Sequence, residues 1–148
     1  MTEEAPGKEA MPRIAVLPLL ALLTLAAPAR LTAVPRADWT PGEWASESTL
    51  ELTTDRPDEG SYTFPVWLVV VDDQVFVRLG GRAADRVQKS KSAPYVGVTV
   101  AGKRFEHVRC EPAPEQAARV AEAIGHKYTS DLLIRFFPHP LTCRLVPE

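Results

Sequence analysis

Tyr62-Thr-Phe-Pro-Val-Trp-Leu-Val-Val-Val-Asp-Asp-Gln-Val-Phe-Val-Arg-Leu-Gly-Gly81 is the stretch on which the fold turns. Two runs rich in β-branched and aromatic residues flank Asp72-Asp73. Branched side chains fit a pleated surface and aspartate tolerates the backbone of a tight turn, so the stretch reads as a β-hairpin. Residues 66–71 are apolar on both faces, which calls for a second cover from a helix or another subunit. Pro65 has no N–H to donate and is accommodated in a strand only at an edge or a bulge.

Working outward, residues 49–54 alternate as a first strand and run into the turn formers of residues 55–60. Before them, Thr40-Pro-Gly-Glu-Trp44 has the features of a helix start, with Thr40 as cap and proline at the first helical position. After Gly80-Gly81, residues 82–91 form a short helix with Ala83 and Val87 inward and Arg82, Arg86 and Lys89 on another face. Residues 95–101 and 103–110 make a second hairpin around Gly102, with Val96, Val98 and Val100 on one side. Pro114 and Glu115 open an amphipathic helix through Ala117, Val120, Ala121 and Ile124, which Gly125 stops. Thr129-Ser130-Asp131 caps a further short helix through Leu133, Phe136 and Phe137, and Leu141, Cys143 and Leu145 alternate in a last strand. Six strands joined mostly by hairpins, with so much two-sided apolar content, predict a mostly β (α+β) protein: a small antiparallel barrel with peripheral helices.

The first part of the chain has a different character. Residues 14–29 are uncharged and apolar, follow Arg13 and end in Ala27-Pro28-Ala29. The run is shorter than the roughly 20 residues that span a bilayer, and it contains Pro18, so it suits a cleavable signal peptide rather than a stable membrane anchor. Initiation at Met11 would leave a purely basic leader. On this reading residues 1–29 are the signal, 30–38 a linker and 39–148 the domain, exported to the periplasm or beyond. If the run is not a signal, the chain stays cytoplasmic.

The 148 residues carry a net charge of −2 with acids and bases mixed, so no field favours nucleic acid or an anionic membrane. His107, His126 and His139 lack metal-ligand spacing, and no metal is expected. The chain has no G-x-S-x-G, P-loop or dinucleotide glycine motif, and nothing marks a nucleophile. Cys110 and Cys143 are each in phase with apolar neighbours. In an oxidising compartment they would form a disulfide, in the cytosol two buried thiols.

Gly80-Gly81 at a helix start, with Arg78, Arg82, Arg86 and Lys89 nearby, is a candidate anion site, because free N–H groups, the helix dipole and guanidinium forks all favour a phosphate. The same residues also describe a solvated helix after an ordinary turn. Trp67 and Phe76 would stack on a ring or fill the core. Lys127 and Tyr128, at a helix end, would reach a pocket or simply pack.

The runs 50–54, 56–60, 64–68 and 74–78, followed by the basic helix, resemble the split β-barrel family that includes pyridoxamine phosphate oxidases and deazaflavin-dependent nitroreductases. His126-Lys-Tyr128 and the terminal Thr142-Cys-Arg-Leu-Val-Pro147 are similar to an uncharacterised branch of it. The resemblance covers residues 44–148. It implies a six-stranded split barrel, a homodimer, and flavin mononucleotide (FMN) or a deazaflavin at the dimer interface; some relatives hold haem or no cofactor. It also implies Thr53, Thr54, Pro65, Val66 and Trp67 beside the ring and Arg78 and Arg82 near the phosphate, to which the anion-site reading adds Gly81 and Lys89. Where the oxidases carry Ser-Arg-Lys, this chain has Gly81-Arg82-Ala83. Two functions follow: an exported flavin- or deazaflavin-dependent oxidoreductase, whose chemistry the cofactor would supply, or a cofactor-free exported barrel acting as a binding or structural module.

Overall fold

Asp72 and Asp73 both lie at positive φ, 50° and 58°, and make the two-residue turn between β2 (Gly60–Val71) and β3 (Gln74–Leu79). That backbone matches the right-handed twist of the flanking strands. Around this hairpin the computed structural model describes residues 36–131 and 138–148, which all fall in one compact unit. The remaining elements are β1 (Thr49–Arg56), α1 (Gly81–Gln88), β4 (Tyr95–Val100), β5 (Lys103–Pro112), α2 (Ala117–Lys127) and β6 (Leu141–Pro147). The strands close into an antiparallel barrel in the order β1-β2-β3-β6-β5-β4, with β4 returning to β1. The six-stranded split barrel with peripheral helices is therefore the fold of this chain. The helix expected over Leu133, Phe136 and Phe137, the leader and most of the linker lie outside the described residues.

Alternation along the strands fills the barrel. Leu50, Leu52, Leu68, Val75, Val77, Val96, Val98, Phe105 and Val108 are all buried in one cluster. The second cover of β2 is a helix: Val69 and Phe76 pack against Val120 and Ile124 of α2, with Trp67 and Val71 at the margin. Each fully buried side chain of this kind contributes about 1.5–3 kcal/mol of transfer free energy. At one end, Trp39 and Trp44 meet Phe105 edge to face, with ring centroids 4.9 and 5.8 Å from it. Cys110 on β5 and Cys143 on β6 form a disulfide with Cα atoms 5.5 Å apart.

Three local expectations need correction. Residues 41–44 form one 3₁₀ turn rather than the start of an α-helix, because the Thr40 hydroxyl donates to the Glu43 carboxylate, at 2.8 Å, instead of capping a backbone N–H. In α1 it is Ala84, with Val87, that is buried, while Ala83 is only partly covered. Gly125 does not stop α2, which continues to Lys127. Its bare Cα sits beside the Asp131 carboxylate, which a Cβ there would approach to 3.6 Å.

Candidate functional site

The geometry of the site follows from where one ladder stops. β2 pairs with β3 only from Val71↔Gln74 to Leu68↔Val77, whereas it stays paired with β1 along its first eight residues, Gly60 to Trp67. In the same register Trp67 would face Arg78 and Val66 would face Leu79, but there the strands have separated. Pro65, opposite Glu51 of β1, lies in the part of β2 that has no partner on β3. A cleft of about 320 Å³ occupies the gap. Phe64, Pro65, Val66 and Trp67 form one wall, and Arg78, Leu79, Gly80 and Ala83 form the other. Ile124 of α2, Thr49 and His139 complete the lining. The lining is predominantly apolar with a few polar groups, the usual make-up of a small-ligand site.

Of the residues expected near a ring, Pro65, Val66 and Trp67 line this cleft. Thr53 and Thr54 do not. They pair with Thr63 and Tyr62, four and five residues beyond Thr49, or about 13–17 Å along the strand at the usual rise. The Thr53 hydroxyl is 2.9 Å from that of Thr63, and Thr54 is buried. Phe76 is buried under α2, on the core side. Trp67 stacks on Tyr128, with centroids 4.4 Å apart and ring planes 5° from parallel, so one face of its indole is already covered.

On the phosphate side the cations are engaged. Arg78 lines the cleft, but its Nη2 lies 2.5 Å from Oδ1 of Asp131, and both side chains are largely buried, 11% and 6% exposed. Arg86 makes a two-nitrogen contact with Glu59 and lies over the Tyr62 ring at 4.0 Å. Lys89 pairs with Asp85 at 2.6 Å. These donors hold the carboxyls of Glu59 and Asp85 below their ordinary range. Arg82 is exposed, makes no ion pair among the described residues and does not line the cleft; nor does Gly81, whose neighbour Gly80 does. The expected convergence of Arg78, Gly81 and Arg82 on one phosphate is not found. The walls of the cleft are largely apolar, and Arg78, Arg86 and Lys89, expected on the phosphate side, are paired with carboxylates.

Lys127 and Tyr128 act as a latch rather than as cleft residues. Lys127 donates from Nζ to the carbonyls of Glu47 and Leu68, and the Tyr128 hydroxyl lies 2.6 and 2.7 Å from those of Ser48 and Leu68, donating its one proton between them. Burial pushes the lysine pKa down and the tyrosine pKa up. The cleft residues missed in sequence were Thr49, Phe64, Leu79, Ala83, Ile124 and His139, while Gly80 was named only as part of an anion site. Register from the Asp72-Asp73 turn could have found Leu79, opposite Val66. No signal along the chain brings in Ile124 or His139.

No family model matches the sequence, and no curated protein matches it. Solved structures do. The haem storage protein HutZ from Vibrio cholerae superposes with a TM-score of 0.54 at 17% identity, covering 72% of this chain and 87% of its own. A conserved hypothetical protein from Mycobacterium tuberculosis gives 0.54 at 19%, covering 78% and 86%. A protein of unknown function from Agrobacterium tumefaciens gives 0.55 at 20%, covering 68% of this chain and 48% of its own. At these identities the likeness is one of architecture, and with the closed six-stranded sheet it establishes that the chain has the split-barrel fold.

Proposed function

We propose that this chain is an exported split-barrel protein that binds a flat heteroaromatic ring of the flavin or deazaflavin class in the cleft between β2, β3 and α1. One observation carries the reading: the ladder between β2 and β3 ends at Leu68↔Val77, and the gap beyond it is walled by Phe64, Pro65, Val66 and Leu79. A flavin, when bound, supplies hydride or electron transfer, which makes the protein an oxidoreductase candidate. The chain's own residues bind and shield the ring: Pro65 and Val66 offer an apolar face, and the buried Ile124 adds to the apolar lining. Export draws support from the apolar leader and from the Cys110–Cys143 disulfide, since such bonds persist in oxidising compartments. The homodimer that the resemblance implies is part of the same proposal.

The alternative is a cofactor-free binding or structural module, and the pairing of Arg78, Arg86 and Lys89 with carboxylates favours it. Titration of residues 30–148 with riboflavin, FMN, a deazaflavin and haem, followed by visible absorption and tryptophan fluorescence, separates the two. Saturable binding of a flavin or deazaflavin that is lost in Ala83→Phe, which fills the cleft, supports the ring site. A folded protein that binds none of them leaves the module. Gel filtration of the same sample checks the dimer.

A further inference from the structure

Arg78 is the cation that reaches the cleft from its β3 wall, and its charge is already matched. Asp131 approaches from beyond the end of α2, across from Gly125, and meets the guanidinium at 2.5 Å in a setting where both side chains are almost excluded from water. A ligand phosphate brought to Arg78 would meet a carboxylate of the same sign within a few ångströms, in surroundings that screen charge poorly. The other arginines and lysine of this region give no substitute: Arg86 is held by Glu59, Lys89 by Asp85, and Arg82 is exposed and not part of the cleft lining. A neutral hydrogen-bonding group meets no such penalty, because the guanidinium fork keeps further donors beyond the one given to Asp131.

Resting on the reading of the cleft as a flavin-class site, we propose that Asp131 serves as a built-in counter-ion to Arg78 and that the cleft selects a ring ligand without a phosphate, at the level of riboflavin rather than FMN. Asp131 is on this account a specificity-determining residue. It occupies by ion pairing the place that a phosphate would need.

The test is a direct comparison of riboflavin and FMN binding to the wild-type chain by fluorescence titration at one fixed pH and ionic strength. Riboflavin is expected to bind about tenfold or more tightly than FMN, the difference that like-charge placement produces in poorly screened sites. Inorganic phosphate should leave riboflavin binding unchanged. Asp131→Asn removes the counter-charge and should narrow the preference or reverse it. FMN binding as tight as riboflavin in the wild type, or competition by inorganic phosphate, would overturn the inference while leaving the ring site standing. An unchanged preference in folded Asp131→Asn would also overturn it. Should that variant fail to fold, the wild-type comparison and the phosphate competition decide the matter alone. Failure of both flavins and of a deazaflavin to bind would sink the underlying site together with the inference, a result distinct from any preference between flavins.

Discussion

Removing the Asp131 carboxylate leaves Arg78 charged, 11% exposed and without its partner, whereas removing both charges leaves only a packing problem. Breaking a buried pair from one side costs about 3–5 kcal/mol, while replacing both members by apolar groups of similar volume is often neutral or stabilising. Asp131→Ala is accordingly expected to lose that much in urea unfolding, and Arg78→Met/Asp131→Leu to unfold within about 1 kcal/mol of the wild type or above it. Equal stability of Asp131→Ala and the wild type would mean that the pair is open to water. The sequence separation of 53 between the partners explains why the sequence shows Arg78 as part of a basic cluster and does not show its neutralisation. Cations on a strand and the helix after it can be seen in order along the chain; the acids that meet them from elsewhere cannot. Pro65, Val66 and Trp67 were named through the resemblance to the split barrels; periodicity along the chain showed only a proline that needs an edge or a bulge.

At the scale of elements, α1 is held down by charge as well as by Ala84 and Val87. Arg56, at the end of β1, bridges to Asp58 at 2.6 Å and to Asp85 of α1 at 2.9 Å, and Arg86 returns to Glu59 in the turn between β1 and β2. Hydrogen bonds from Arg56, Arg86 and Lys89 depress the pKa values of Asp58, Glu59 and Asp85 respectively. A depressed carboxylate contributes stability that is fully present above its unfolded value and is lost as the pH falls through the folded value. Thermal melts taken from neutral pH downward should therefore show the midpoint falling once the ordinary carboxylate range is reached. Glu59→Gln should flatten that fall, and an unchanged acid profile in this variant would place the pH dependence elsewhere. The strands and the two hairpins were readable from periodicity and turn residues, and so was the need for a cover over β2, though not whether a helix or a second subunit supplies it. The end of α2 was not, because Gly125 carries the usual sign of a stop while Lys127 and Tyr128, bonded to the carbonyls of Glu47, Ser48 and Leu68, hold the next turn in place.

For the whole molecule, closure depends on pairings between distant parts of the chain. β3 pairs with β6, β6 with β5 and β4 with β1, so the last strand joins the hairpin at residues 60–79 to the one at 95–112. The Cys110–Cys143 bond lies at this seam, close to the pairs Cys110↔Leu145 and Pro112↔Cys143. With 33 positions between the cysteines, loop-closure entropy assigns the bond about 3–4 kcal/mol, exerted chiefly on the unfolded chain. Both cysteines are buried, 3% and 0% exposed, so a reductant should act on the native barrel only as fast as it opens. Oxidised protein is expected to resist thiol labelling without denaturant, and reduced protein to unfold at a lower urea concentration by the equivalent of about 3 kcal/mol. A midpoint that does not move on reduction would show that the hydrogen bonds of β6 to β3 and β5 close the barrel unaided. The disulfide would then add no stability that an oxidising compartment could preserve, and the case for export would rest on the apolar leader alone.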